Sequence, residues 1–277
     1  MLRKTMIRAA LVVTASALAT MPALAQDQSE RDTHFNGLYI GAGGGYSMQP
    51  NDSGSTVAFD TDGNGSFDNT VVVPGTTNNA FAPGFCSGYP LNGTPSNPPS
   101  GCKGDKDRAE YFGRVGYDRR MGNFVLGAVI EGGKSDAVDR TTAFSGTPHY
   151  YTFSRGIDWQ ASARLRAGYT PNGGILFYVT GGGTYANMDH AFVTSNRASS
   201  FVQNDKDDAW GYQAGGGIEA MVLKNVSIGM EYLYTDLDDK KYFVTATGGP
   251  FGAGTNMRPA DQGFNFHAVR GTVNFRF

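Results

Sequence analysis

The sequence predicts an all-β fold, an eight-stranded antiparallel up-and-down barrel that crosses a membrane with its strands. Three features carry that prediction. Eight segments of about ten residues alternate polar and apolar side chains with a period of two, the repeat of a strand with unlike faces. Short turns and long loops alternate between these segments, which places every turn at one end and every loop at the other. After residue 25 the apolar runs span only a few residues, far short of the roughly 18 that a transmembrane helix needs.

The segments follow in order. "NGLYIGAGGGYS" (36–47) precedes "RAEYFGRVGYD" (108–118), "FVLGAVIEGGK" (124–134) and "IDWQASARLRAGY" (157–169). "ILFYVTGGGTYAN" (175–187), "AWGYQAGGGIEAM" (209–221), "VSIGMEYLYTDL" (226–237) and "FNFHAVRGTVNFRF" (264–277) complete the set. Tight turns at 119–123, 170–174 and 222–225 join the second to the third, the fourth to the fifth and the sixth to the seventh. Long polar loops make the other connections, and the first covers residues 48–107. An even strand count closes such a meander without a free edge, giving short periplasmic turns and long extracellular loops.

Side-chain parity says which face meets lipid. In the last segment Val269, Val273, Phe275 and Phe277 share one face, and Arg270, Thr272, Asn274 and Arg276 the other. Val226, Ile228, Met230, Tyr232 and Tyr234 likewise oppose Ser227, Gly229, Glu231 and Thr235. A polar face carrying both Arg and Glu belongs inside a barrel whose outside is apolar. Aromatic residues near the strand ends (Tyr39, Tyr46, Tyr111, Tyr117, Tyr169, Trp210, Tyr234 and Phe277) are expected to form the interfacial girdles. By parity the lumen receives Arg114, Glu131, Arg164, Arg166, Glu219, Glu231 and Arg270. Eight strands leave an interior that side chains just fill, and an unpaired charge there is costly. A salt-bridged plug is therefore preferred over a narrow gated ion path.

The N-terminus predicts export. Arg3, Lys4 and Arg8 precede the apolar stretch Ala9–Thr20, and "ALA" (23–25) supplies a small-residue cleavage signal. The expected organisation is a signal peptide (1–25), a periplasmic N-terminal segment (26–35) and a barrel (36–277). With 23 basic and 25 acidic residues the formal charge is −2, and loss of the leader's three cations takes it to −5. A nucleic-acid partner is not expected from that balance.

The first loop holds two further features. Cys86 and Cys102, the sole cysteines, lie in a Pro/Gly/Ser/Asn-rich stretch. In an exported chain they are expected to form one disulfide, with two free thiols as the alternative. "FDTDGNGSFDNTV" (59–71) places Asp60, Asp62, Asn64, Ser66 and Asp68 at alternate positions of a calcium-loop register. The closing bidentate Glu is missing, because Val71 stands there, and no amphipathic helix flanks the loop. The expectation is a weak Ca2+ site or an acidic turn without metal, and no cofactor is required.

Catalytic signals are sparse. His34, His149, His190 and His267 lie in different segments, and no Ser/His/acid spacing marks a nucleophile with its base. The triple-glycine runs sit mid-strand, where close packing explains them better than phosphate binding.

"FVLGAVIEGG", "ARLRAGY", "ILFYVTGGGTYA", "GYQAGGGIEAMVLKNVSIGMEYLYTDL" and the terminal "VRGTVNFRF" resemble the small outer-membrane porin-like family. That family includes the outer-membrane immunogenic and opacity-type proteins of Gram-negative bacteria, whose fold is similar to the eight-stranded OmpA barrel. The resemblance covers residues 36–47 and 108–277, and the long first loop departs from short-loop members. It implies residence in the outer membrane, contact with its lipids and lipopolysaccharide, and presentation of Phe277 to the barrel-assembly machinery. The implied work is structural and interfacial, through loops that meet an unknown surface ligand. A narrow porin-like channel is the alternative, and a lipid-modifying enzyme a lesser one, since the short catalytic motifs of lipid-A enzymes are missing.

Overall fold

The computed structural model describes residues 34–49, 55–90, 102–104, 108–204 and 208–277. The expected signal peptide, most of the N-terminal segment and parts of the first loop lie outside the described residues. The first strands are β1 (Gly37–Met48), β2 (Val57–Asp60), β3 (Gly84–Ser87), β4 (Tyr89–Pro90) and β5 (Cys102–Lys103). β6 (Arg108–Met121), β7 (Phe124–Ser135), β8 (Val138–Ser145), β9 (His149–Tyr169) and β10 (Ile175–Thr194) follow. The last are β11 (Ser200–Gln203), β12 (Asp208–Leu223), β13 (Val226–Asp238), β14 (Val244–Thr247), β15 (Thr255–Pro259) and β16 (Gly263–Arg276).

Eight of these strands, β1, β6, β7, β9, β10, β12, β13 and β16, form the closed antiparallel barrel. Each corresponds to one predicted segment. β1 and β16 seal the ring through a register running from Tyr39 opposite Arg276 to Met48 opposite His267. Side chains alternate along every wall strand. Val115, Tyr117, Leu126, Ile130, Leu165, Val179, Met230 and Val273 are exposed on the outside. Their neighbours in sequence point into the lumen. An outward apolar band of this kind is stable only against hydrocarbon, since in water it would far exceed an ordinary exposed patch.

The loops are not the polar connections that their composition suggested. β9 begins eight residues before the predicted strand, and β10 runs seven residues past its predicted end. β7 pairs with β9 only as far as Gly133 opposite Gln160. Above that level β8 takes its place against the upper half of β9, and β3 extends the sheet beyond β8. A register shift at Asn187/Met188 bends the β9–β10 hairpin where it leaves the barrel. A second sheet, ordered β11-β14-β15-β2, stands at the same end.

Between these elements lies a core of their own. Val57, Phe59, Phe81, Tyr151, Phe153, Tyr242, Val244, Phe251 and Met257 are buried there, with Phe85, Phe192 and Phe201 packed against them. Polar composition hid this core because its apolar residues are single and widely spaced along loop sequences. Only the pairing of distant strands gathers them. The Cys86–Cys102 disulfide forms at the margin of the cap, with Cα atoms 6.1 Å apart, beside the short β4–β5 ladder.

Candidate functional site

The lumen is filled in layers. Its floor, at the turn end, is apolar: Phe35, Val125, Leu176 and Tyr178 are buried together with Met221 against them. Phe35 adopts a left-handed φ of 57°, a conformation that costs a non-glycine residue about 1–2 kcal/mol. Its fully buried ring, 4.9 Å beneath the Arg276 guanidinium, offsets that cost. The His34 ring also reaches the turn end, its Nδ1 3.0 Å from the Gly173 carbonyl.

Above the floor, two arginines and two acids close a ring. Arg166 donates to Asp118 (Nε to Oδ1, 2.6 Å) and to Glu219 (Nη1 to Oε2, 3.0 Å). Arg276 donates to the same pair, at 2.8 Å to Asp118 and 2.6 Å to Glu219. Ser227 adds a hydroxyl donor to Glu219 at 2.6 Å. Tyr39 lies between the two guanidiniums, 4.9 Å from Arg166 and 4.8 Å from Arg276. It is 0% exposed, so it faces the lumen and not the girdle expected for it. Parity explains the correction, because Tyr39 shares its face with Gly41, Gly43 and Gly45. The opposing glycines make room for rings: a Cβ on Gly116 would strike Tyr39, and one on Gly43 would strike Phe112.

The next layer contains three arginines and three glutamates. Arg270 donates to Glu231 (2.6 Å) and Glu131 (2.7 Å), and lies 3.5 Å from Glu110. Arg164 donates to Glu131 at 2.9 Å and to the Gln213 amide oxygen at 3.2 Å. Arg114 stands 3.7 Å from Glu231, which also accepts the Tyr178 hydroxyl at 2.9 Å. The Arg270 guanidinium lies 3.9 Å over the Phe112 ring. Across both layers five arginines meet five carboxylates, so the buried formal charges balance. That balance matters because each ion costs several kcal/mol to desolvate and is compensated only by close partners.

All seven lumen residues expected from parity therefore come together. Parity also carried a signal for Glu110 and Asp118, two turns of the pleat from Arg114, and for Arg276 beside Arg270. At the loop end the inward face turns apolar again, with Ala186, Met188, Ala209, Leu237, Phe264 and Phe266 buried in one cluster. Next to it Arg155 pairs with Asp139 and lies 3.8 Å from Asp239. Asp239 in turn meets His190 Nε2 at 2.9 Å, and that ring stacks on Tyr242 at 4.0 Å. Sequence reading missed this cluster because residues 155, 190 and 239 fall in segments read as loops.

The other expected sites are dispersed. His149 Nδ1 lies 3.3 Å from Ser195 Oγ at a cap hairpin, while His267 meets the Tyr232 hydroxyl at 2.6 Å on the outer wall. Asp60 accepts the Gly63 and Gly65 amides at 2.8 and 3.1 Å. Burial works against the Asp60 charge, but those amide bonds prevail and hold its carboxyl below the ordinary value. Asp62 accepts the Asn64 amide and Asn64 the Ser66 amide, so the register forms successive Asx turns. Among the described residues no group of three or more His, Cys, Asp or Glu side chains gathers as a metal site. Asp68 bonds the side chain of Asn69 at 3.2 Å. Phe277 is 65% exposed, with its ring edge-on to Phe275 at 5.1 Å.

Known proteins resemble this chain in sequence or in fold. The 31 kDa outer-membrane immunogenic proteins of Brucella melitensis and Brucella suis are each 32% identical over 127 residues, 44% of this chain and 46% of theirs. A 22 kDa outer membrane protein of Rhizobium leguminosarum is 28% identical over 144 residues, 50% of this chain and 58% of that one. The chain thus spans about half the length of the curated relatives it matches. The crystal structure of OprG from Pseudomonas aeruginosa superposes with a TM-score of 0.51 over 88% of this chain and 98% of that one. Its sequence is 14% identical, a likeness of fold. The family model for the outer membrane protein beta-barrel domain matches residues 11–277. The outward wall of apolar side chains is that of a Gram-negative outer-membrane protein, and the chain belongs to the outer membrane protein beta-barrel domain family.

Proposed function

We propose that the barrel is a sealed anchor and that the folded cap at its loop end is the working surface, meeting ligands outside the cell. One observation carries this reading: side chains occupy the lumen from an apolar floor through two ion-paired layers to an apolar mouth, whereas the cap has a separate core. A protein whose only task was conduction would gain nothing from a cap so assembled. The structural role is envelope integrity, with the outward apolar band and girdles set against lipid and lipopolysaccharide. Catalysis is not part of this reading, and its support is the separation of the four histidines. The exposed Phe277 supports presentation of the last strand to the assembly machinery. A calcium ion in the 60–68 loop rests on the register alone; unchanged protease resistance of the loop in millimolar calcium would remove it.

A narrow ion path is the second reading. It is favoured by lumen atoms without hydrogen-bond partners among the described residues, including Arg114 Nε and Nη2, Arg164 Nε and Gln160 Oε1. Planar-bilayer recordings separate the two. The anchor reading expects no sustained unitary conductance from the wild type, and steady conductance lost on Arg164→Ala or Glu231→Ala would reverse it. Attachment to host-cell monolayers, compared for cells with and without residues 48–107, tests the cap directly.

A further inference from the structure

Among the described residues five arginines pack on aromatic rings, and four of them also have a carboxylate within 4 Å. Arg114, Arg166, Arg270 and Arg276 are those four, all within the lumen. Arg258 is the exception. It lies on β15, on the outward side of the small sheet, opposite Ala58 of β2. Its guanidinium sits 3.8 Å over the Phe67 ring, and Phe67 in turn contacts Phe243 at 6.4 Å. Nη1 donates to the Lys240 carbonyl at 3.3 Å. Nε is buried without a partner, and among the described residues no acid lies within ion-pair distance. Burial alone, with no acid to oppose it, lowers the affinity of this guanidinium for its proton.

Such a group is costly as it stands. A cation fixed by stacking and one carbonyl, partly desolvated and without counter-charge, is prepared for an anion that arrives from outside. Its surroundings fit that role. Along the same face Thr245 donates to the Asn256 side chain at 2.7 Å, and Asn256 reaches Asp60 at 3.5 Å. Lys240, whose carbonyl accepts Nη1, has its exposed ammonium paired with Asp238, so that acid is already engaged. Asp60 stays turned to its own loop amides and so does not neutralise Arg258.

We infer that Arg258, stacked on Phe67 on the outward side of the small sheet, is a binding site for phosphate or sulfate groups carried by a surface polymer or a lipid headgroup. The planar fork offers Nη2 and the outer edge of Nη1 to two anion oxygens. The ring beneath fixes the fork and excludes water from one side. This inference rests on the cap being the contact surface.

The test uses the full chain refolded in detergent micelles, with dextran sulfate as soluble polyanion. A second arm reconstitutes the chain into lipopolysaccharide-containing vesicles or phosphatidylcholine vesicles and follows competition with dextran sulfate. Arg258→Gln is expected to weaken dextran sulfate binding by about tenfold, the scale of one lost charge-assisted pair. Arg258→Lys keeps charge without the fork and should fall between, and Phe67→Leu should weaken binding with Arg258 intact. Heat-modifiable gel migration verifies that each variant is a folded barrel. Competition by lipopolysaccharide that depends on Arg258 assigns the anion to the lipid; its failure, with dextran sulfate still Arg258-dependent, assigns it to a soluble polymer. Equal binding by wild type and Arg258→Gln in both arms would overturn the site. If that equality came with attachment still lost on removing residues 48–107, the cap would stand as the contact surface and only the anion site would fall.

Discussion

The lumen and the cap solve the same packing problem with opposite chemistry. Within the membrane, the barrel interior is filled by five arginines and five carboxylates, each ion held by others at 2.6–3.7 Å or by closer contact. Outside it, the cap is filled by aromatic rings. Phe81 alone touches Phe59 at 4.6 Å, Tyr151 at 5.3 Å and Phe251 at 6.2 Å. The difference follows from what surrounds each region. A barrel in lipid already spends its apolar side chains on the outer wall, so period-two alternation leaves polar ones for the interior. The cap stands in water, where hydrophobic burial again becomes the main source of stability.

Four changes would break or sharpen that contrast. The largest effect is expected from Arg270→Ala, which leaves Glu131 and Glu231 without their shortest partner. Stability should fall by about 3–5 kcal/mol, the usual cost of orphaning a buried charge, as measured by urea unfolding in micelles. If Arg270→Ala left the unfolding midpoint unchanged, the network would not be what holds the lumen. Phe81→Ala should cost about 3 kcal/mol but confine the damage to the cap. Protease would then cut within residues 55–90 while the barrel kept its compact gel migration; loss of both together would mean that cap and barrel fold as one unit.

Replacing Cys86 and Cys102 with Ser should cost up to about 3 kcal/mol on the loop-entropy account. Because that pair ties only the cap margin, the loss should appear as faster cleavage near residue 90 with unaltered barrel unfolding. The smallest effect concerns pH at Asp60. Its folded carboxyl lies below the ordinary value of 3.8, so its contribution is complete above that value and disappears as pH falls through the lower one. Protection of the 60–69 amides against hydrogen exchange should therefore drop on acidification in that window, and Asp60→Asn should flatten the response. A pH-independent profile in the wild type would remove Asp60 from the loop's support.

Parity made the barrel legible. Gly37 through Met48 and the seven later wall strands could be placed because one face must meet hydrocarbon, and a one-residue slip would expose every charge to it. The same rule brought Arg114, Glu131, Arg164, Arg166, Glu219, Glu231 and Arg270 to one interior. Aromatics were harder. Tyr39 and Tyr46 are both near strand ends, yet Tyr39 points inward and Tyr46 outward, and proximity to an end says nothing about face. The Asp60–Asp68 stretch could be recognised as a turn of acidic and amide side chains. How each group is held depended on the fold of the loop, where Asp60 accepts the amides of Gly63 and Gly65.

Alternation and the spacing of turns by themselves determined the strand count, the closure and the sign of each face, because these depend only on local geometry and on lipid. The cap was decided by tertiary structure. Its core joins Phe59, Phe81, Tyr151, Phe201 and Phe251 from loops as much as about 190 residues apart, and no periodicity links residues that meet only after distant strands pair. The outward arginine on Phe67 belongs to that second kind: its neighbours are chosen by the β2–β15 register, and so is its lack of an acid.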